Sequence, residues 1–159
     1  MGEIYMNFRF KDIREDLDLK QKEIAEIIGI SRGAYANIEC ETANIKLKDL
    51  FIYSCKFNYS LDYICNLTNI NNFNLKKIDK IDKSLISQRL SLIENELGLE
   101  AKDIANLLGI DKSTYSYYKN INKTRLIQTL MLKKICNEYG YSMDWIIGRS
   151  NIKTIKTDK

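Results

Sequence analysis

From residue 10 onward, apolar side chains recur at the three- and four-residue spacing of a helix face, and no stretch alternates as a half-buried strand would. Phe10, Ile13 and Leu17 make one set, Ile24, Ala25, Ile27 and Ile28 a second, Tyr35 and Ile38 a third, and Leu47, Leu50, Phe51 and Tyr53 a fourth. Ser60 stands ahead of a fifth short segment in the position of a helix N-cap, and Ser142 does the same late in the chain. The pattern predicts an all-α chain with about five short helices in each half.

The halves are related. Shifting the sequence by 80 residues lays QKEIAEIIGISRGAY on AKDIANLLGIDKSTY, and it also pairs Arg9 with Arg89, Ile13 with Ile93, Leu17 with Leu97 and Leu19 with Leu99. Further on the shift grows to 82, where FNYSLDYI meets YGYSMDWI and Tyr63 falls on Trp145; two residues have been inserted between, as a loop permits. Two copies are too few and too long for a solenoid. The reading is two tandem domains: 1–70, then a linker over 71–83, a second domain over 84–150 and a basic flexible tail over 151–159. The linker has a helical option in the spacing of Leu75, Ile78, Ile81 and Leu85.

Each copy carries a small residue followed four positions later by glycine, with apolar residues six and nine positions beyond. Ala25 lets a second helix approach closely, Gly29 takes the left-handed conformation that ends the first helix, and Ile30 plugs the turn. Ser31 then caps a helix that turns Tyr35 and Ile38 inward and Arg32, Gly33, Ala36 and Asn37 outward. Ala105, Gly109, Ile110, Asp111, Tyr115 and Tyr118 repeat the arrangement.

These residues, QKEIAEIIGISRGAYANIE followed by YSLDYI, resemble the lambda-repressor-like helix-turn-helix family, also called XRE or Cro-type. The resemblance covers most of the chain, in two copies. It implies a five-helix fold for each and a transcriptional regulator, a repressor in a mobile-element or phage-like circuit, whose partner is double-stranded DNA. The helix from Ser31 to Cys40 would enter the major groove with Arg32, Gly33 and Asn37 toward bases, and Gln21, Ser31, Thr42, Lys46 and Lys48 toward phosphates. In the second copy the helix from Asp111 to Asn120 would present Lys112, Ser113 and Tyr117 to bases, with Lys123 and Arg125 on the backbone; Lys133 and Lys134 are further cations nearby. There Ala101 replaces Gln21 and removes a phosphate donor. The glycine that the family places soon after the position of Glu39 is missing too, since the chain reads Cys40-Glu41.

The family also pairs an arginine of the first helix with a glutamate late in the recognition helix, and Arg14 and Glu39 fall there. In copy two the aligned residues are Glu94 and Lys119, so both signs are reversed and attraction is kept. That is expected of a structural pair in the scaffold and not of groups facing a duplex.

Composition narrows the chemistry. The 159 residues are 45% hydrophobic and 29% charged, with no proline and no histidine, so imidazole catalysis and histidine metal sites are excluded. Cys40, Cys55, Cys65 and Cys136 form no C-x-x-C pair, and reduced, mostly buried cysteines are expected, with no metal, cofactor or membrane partner and a cytoplasmic location. No phosphate-cradling glycine loop or nucleophile elbow points to an enzyme. Net charge is +4, yet residues 1–70 hold 9 basic against 11 acidic side chains, so the positive excess lies later in the chain. That imbalance keeps a second reading open, in which copy two, and copy one with it, has exchanged groove reading for protein contact or a homodimer.

Overall fold

The apolar sets wind into helices whose inward faces close two separate cores. The computed structural model describes residues 6–155, and among them ten helices form and no strand does. The chain divides into two units, the first running to Phe73 and the second spanning Asn74–Ile155. The first unit holds α1 (Phe10–Asp16), α2 (Gln21–Ile28), α3 (Arg32–Glu39), α4 (Leu47–Phe57) and α5 (Leu61–Ile64). The second holds α6 (Lys83–Leu97), α7 (Ala101–Leu108), α8 (Lys112–Lys119), α9 (Thr129–Tyr139) and α10 (Met143–Ile146).

In the first unit Phe10, Ile13, Ile24, Tyr35, Leu50, Tyr53, Leu61 and Ile64 are removed from solvent, and each large side chain so buried contributes about 1.5–3 kcal/mol. Phe10 stands edge-on to Tyr53 at 5.1 Å and to Tyr35 at 6.5 Å, which fixes α1 over the start of α3 and the middle of α4. The second unit buries Leu90, Ile93, Ile104, Tyr115, Leu132, Ile135 and Ile146 in the same order along the chain. Ser31, Ser60 and Ser142 cap their helices by accepting from the amides of Ala34, Tyr63 and Trp145.

Backbone conformation recurs where residue type does not. Gly29 and Gly109 end α2 and α7 at φ 78° and 68°. Asp18 and Gly98 share the left-handed region, as do Asn58 and Gly140, and Asn66 and Gly148. The loop between α3 and α4 covers residues 40–46, whereas that between α8 and α9 covers 120–128, and the two inserted residues lie there.

Three expectations are corrected. Residues 71–82 carry no helix: the stretch begins with asparagines that form helices poorly, and Asp82 starts α6 by accepting from the Ser84 amide at 2.9 Å. Residues 151–155 are not a free tail, because Ser142 donates to the Lys153 carbonyl at 2.8 Å, Ile155 donates to that of Gly140 at 3.0 Å, and Lys153 pairs with Glu96. The rest of the expected tail, 156–159, lies outside the described residues, as do residues 1–5. Finally, Cys65 and Cys136 are buried but Cys40 and Cys55 are exposed, since Cys40 follows the last turn of α3 and Cys55 lies beyond the inward pair Tyr53 and Ser54 on α4.

Candidate nucleic-acid interface

Gly29, Ile30 and Ser31 make the bend between α2 and α3. The amides of Gly29 and Ile30 both donate to the Ala25 carbonyl, at 2.9 and 3.0 Å, which closes α2 and turns the chain. Tyr35 and Ile38 are buried, so the opposite side of α3 faces water. Arg32, Gly33 and Asn37 are exposed on it, and among the described residues the Arg32 and Asn37 side chains have no ion pair or hydrogen bond. A Cβ added to Gly33 would meet nothing within 4 Å.

Lys46 and Lys48 are exposed at the start of α4. The other three residues expected at phosphates also serve the fold. The Ser31 hydroxyl accepts from Ala34 at 3.1 Å, the Thr42 hydroxyl donates to the Asn37 carbonyl at 3.2 Å, and the Gln21 amide donates to Glu39 at 3.4 Å. Glu41 occupies the place of the missing glycine. It takes a φ of 60°, as a glycine there would without strain, and its carboxylate accepts from the Phe8 amide at 2.9 Å.

Beneath this surface Arg14 and Glu39 form a two-pronged pair, Nε to Oε2 at 2.8 Å and Nη2 to Oε1 at 2.7 Å. Burial works against the Glu39 carboxylate, but hydrogen bonds from Arg14 and Gln21 outweigh it and hold its pKa below the ordinary value. Burial pushes the Tyr35 and Tyr53 hydroxyls well up, so both stay protonated beside this carboxylate.

The second unit keeps the geometry with other side chains. The Gly109 and Ile110 amides turn the chain between α7 and α8, and Asp111 precedes α8. Lys112, Ser113 and Tyr117 are exposed on α8 while Tyr115 and Tyr118 are buried; Lys123 and Arg125 are exposed on the loop that follows. Lys119 pairs with Glu94, and Ser87 donates to the Lys119 carbonyl at 2.7 Å. Burial raises the Tyr115 hydroxyl as it does Tyr35.

Sequence reasoning passed over two contacts. Arg9 lies 4.6 Å from the Tyr63 ring and donates to the Tyr63 carbonyl at 3.0 Å; Arg89 lies 4.6 Å from the Trp145 ring. Both pairs stood aligned in the repeat, which was the available signal. The third omission is Lys83, whose ammonium donates to the carbonyls of Lys123 and Arg125 at 2.6 and 2.7 Å.

Among the described residues no group of three or more cysteine, aspartate or glutamate side chains is placed to hold a metal ion, and no helix is long and apolar enough to cross a membrane. No solved structure matches the chain. A 73-residue stretch is 34% identical to glutamine–fructose-6-phosphate aminotransferase (isomerizing) of Methanocaldococcus jannaschii; it makes up 46% of this chain and spans 6% of that protein. Residues 10–64, which run from α1 through α5, match the helix-turn-helix family model. With the bend at Gly29 and the outward polar flank of α3, that match makes the first unit a helix-turn-helix domain of the XRE type, a class that binds DNA.

Proposed function

We propose that the protein is a sequence-specific DNA-binding transcriptional regulator acting as a repressor. In this reading α3 enters the major groove, Arg32 donates two hydrogen bonds to guanine, and Asn37 pairs with adenine. Gln21, Ser31, Thr42, Lys46 and Lys48 bind phosphates on either side and set the register. The observation that carries it is the unengaged state of Arg32 and Asn37 on a helix whose other face is locked into the core. Polar groups left without internal partners on a rigid element are what a base-reading surface requires.

The second unit is read as a diverged copy that also meets DNA, through Lys112, Ser113 and Tyr117 at bases and Lys123 and Arg125 at phosphates. Its support is the helix order and the bend at Gly109, which follow the first unit at shifts of 80 and 82 residues. One chain would then hold two readers, and repeated half-sites are the expected target. Ala101 in place of Gln21 favours a competing role for this unit in protein contact or dimerisation. The likeness to a short stretch of an aminotransferase brings no enzymatic activity with it, because 6% of that enzyme is shared.

Sequencing the fragments that the protein selects from a random duplex pool tests the reading. Enrichment of one repeated motif is expected. Arg32→Ala should relax the preference at one position, while Lys48→Ala should weaken all sequences alike and reduce the salt slope by about 1. Selection without any motif, or binding indifferent to both substitutions, overturns it.

A further inference from the structure

The first helix of the second unit is longer than its counterpart. α6 has 15 residues and α1 has 7. Under the 80-residue shift α1 corresponds to residues 90–96, so the added turns lie at the N-terminal end of α6. Two side chains from these turns reach the end of α8 and the loop that follows it: Ser87 donates to the carbonyl of Lys119, the last residue of α8, and Lys83 donates to the carbonyls of Lys123 and Arg125. In the first unit the residue aligned with Lys83 lies outside the described residues, and Glu41 holds the loop after α3 by accepting from the Phe8 amide at 2.9 Å.

We infer that Lys83 is a positioning residue for phosphate binding by the second unit, holding the loop so that Lys123 and Arg125 stand on the Tyr117 side of α8. The inference rests on the reading of that unit as DNA-facing. Two of the three ammonium protons are spent on loop carbonyls. The Lys83 and Lys123 ammoniums each lie 5.8 Å from the centre of the Tyr117 ring, so that ring marks the point on which the loop converges. A turn at Asn120, which accepts through its side chain from Asn122 and through its carbonyl from Lys123, fixes the near end. Without Lys83 the far end, carrying Arg125, has lost its anchor, and two cations must be ordered at the moment of binding, an entropic cost that weakens association. Burial pushes the Lys83 ammonium down from its ordinary value, and the two carbonyls that accept from it work in the opposite direction by favouring the charged form.

The test uses the full chain and a random-sequence duplex of about 40 base pairs, with affinity followed by anisotropy across a salt series. The double variant Lys123→Ala with Arg125→Ala is expected to lose about tenfold in affinity at low salt and to reduce the salt slope by about 2. Lys83→Ala should reproduce most of that loss, the triple variant should add little to the double, and Lys83→Arg, which keeps the donors, should restore binding. If the double variant binds like the parent, the second unit does not meet DNA and the inference falls with that reading. If the double variant is weakened but Lys83→Ala is not, or if their losses add, the second unit stands as a DNA binder and the positioning role is refuted. Thermal melting of Lys83→Ala and Lys83→Met monitors folding; should Lys83→Ala unfold the unit, the same comparison is read from Lys83→Met, which keeps the apolar stem.

Discussion

Arg14 and Glu39 meet in a two-pronged contact of 2.7 and 2.8 Å, and at the corresponding positions of the second unit a glutamate, Glu94, meets a lysine, Lys119. The Glu39 side chain is 5% exposed and that of Arg14 17%, which places the pair between an exterior contact of about 1 kcal/mol or less and a buried one whose disruption costs about 3–5 kcal/mol. Glu39→Gln should therefore destabilise the first unit by roughly 2–3 kcal/mol in chemical denaturation. Arg14→Glu combined with Glu39→Lys copies the second unit's polarity and should recover more than half of the loss caused by either single reversal. Failure of the double variant to recover would mean that the site tolerates one polarity alone.

The same contact sets an acid limit. Hydrogen bonds hold the Glu39 pKa in the folded state below its unfolded value of about 4.3. Its contribution is thus complete above that value and is lost as pH falls through the folded one. Stability of the parent should decline below about pH 4.5 more steeply than that of Glu39→Gln, and the two curves should converge at the acid end. Parallel curves would show that other carboxylates account for the acid sensitivity.

Helix ends offer a backbone test. Gly140 ends α9 at φ 75°, and its counterpart in the first unit is Asn58 at φ 58°. Nothing lies within 4 Å of a Cβ built on Gly140, so substitution there measures backbone strain without a clash. Gly140→Ala should cost about 1–2 kcal/mol, and Gly140→Asn less than about 0.5 kcal/mol, because asparagine tolerates the left-handed region. Gly148→Ala, at φ 92°, should cost at least as much as Gly140→Ala, with the end of the Leu85 side chain, 2.6 Å from the added Cβ, turning aside to admit it.

Local geometry was legible in the sequence because it depends on neighbours. Gly29, Ser31 and the inward pair Tyr35 and Ile38 act within a few residues of one another, and spacing alone places them. The contacts of Arg9 and Arg89 were not legible, although both arginines and their partners Tyr63 and Trp145 stood aligned. Arg9 is 54 residues from Tyr63, and a charge beside an aromatic ring carries no periodic mark. Lys83 was harder still, because its acceptors are carbonyls, which every residue possesses. Glu41 shows the reverse case: residue type argued against a glycine-like turn, and the Phe8 amide bound by its carboxylate stabilises one nonetheless.

The two arginine–aromatic contacts should differ in strength. Arg9 adds hydrogen bonds to the Tyr63 carbonyl and the Asn69 side chain, at 3.0 and 2.6 Å, and so ties α1 to the segment after α5. Arg9→Ala should cost about 2–3 kcal/mol, of which the ring accounts for about 0.5–1. In the second unit Trp145→Leu takes the ring away from Arg89 and with it from Tyr141 and Lys153, which lie 6.0 and 5.7 Å from the same ring. It should cost at least about 1 kcal/mol by denaturation, and a smaller loss would leave the Arg89 contact without a stabilising role.

Gly33 allows stability and binding to be pulled apart. It lies in the first turn of α3, where a glycine costs the helix roughly 0.5–1 kcal/mol relative to alanine, and the fold leaves open space beside it. Nothing inside the protein therefore calls for the missing side chain. If α3 lies against a duplex, the reason is outside: a bare backbone there admits a closer approach to the bases. Gly33→Ala should raise the melting temperature of the first unit while weakening binding to the selected duplex, two shifts of opposite sign in one variant. Tighter or unchanged binding would place Gly33 away from the contact and move the reading edge of α3 toward Asn37.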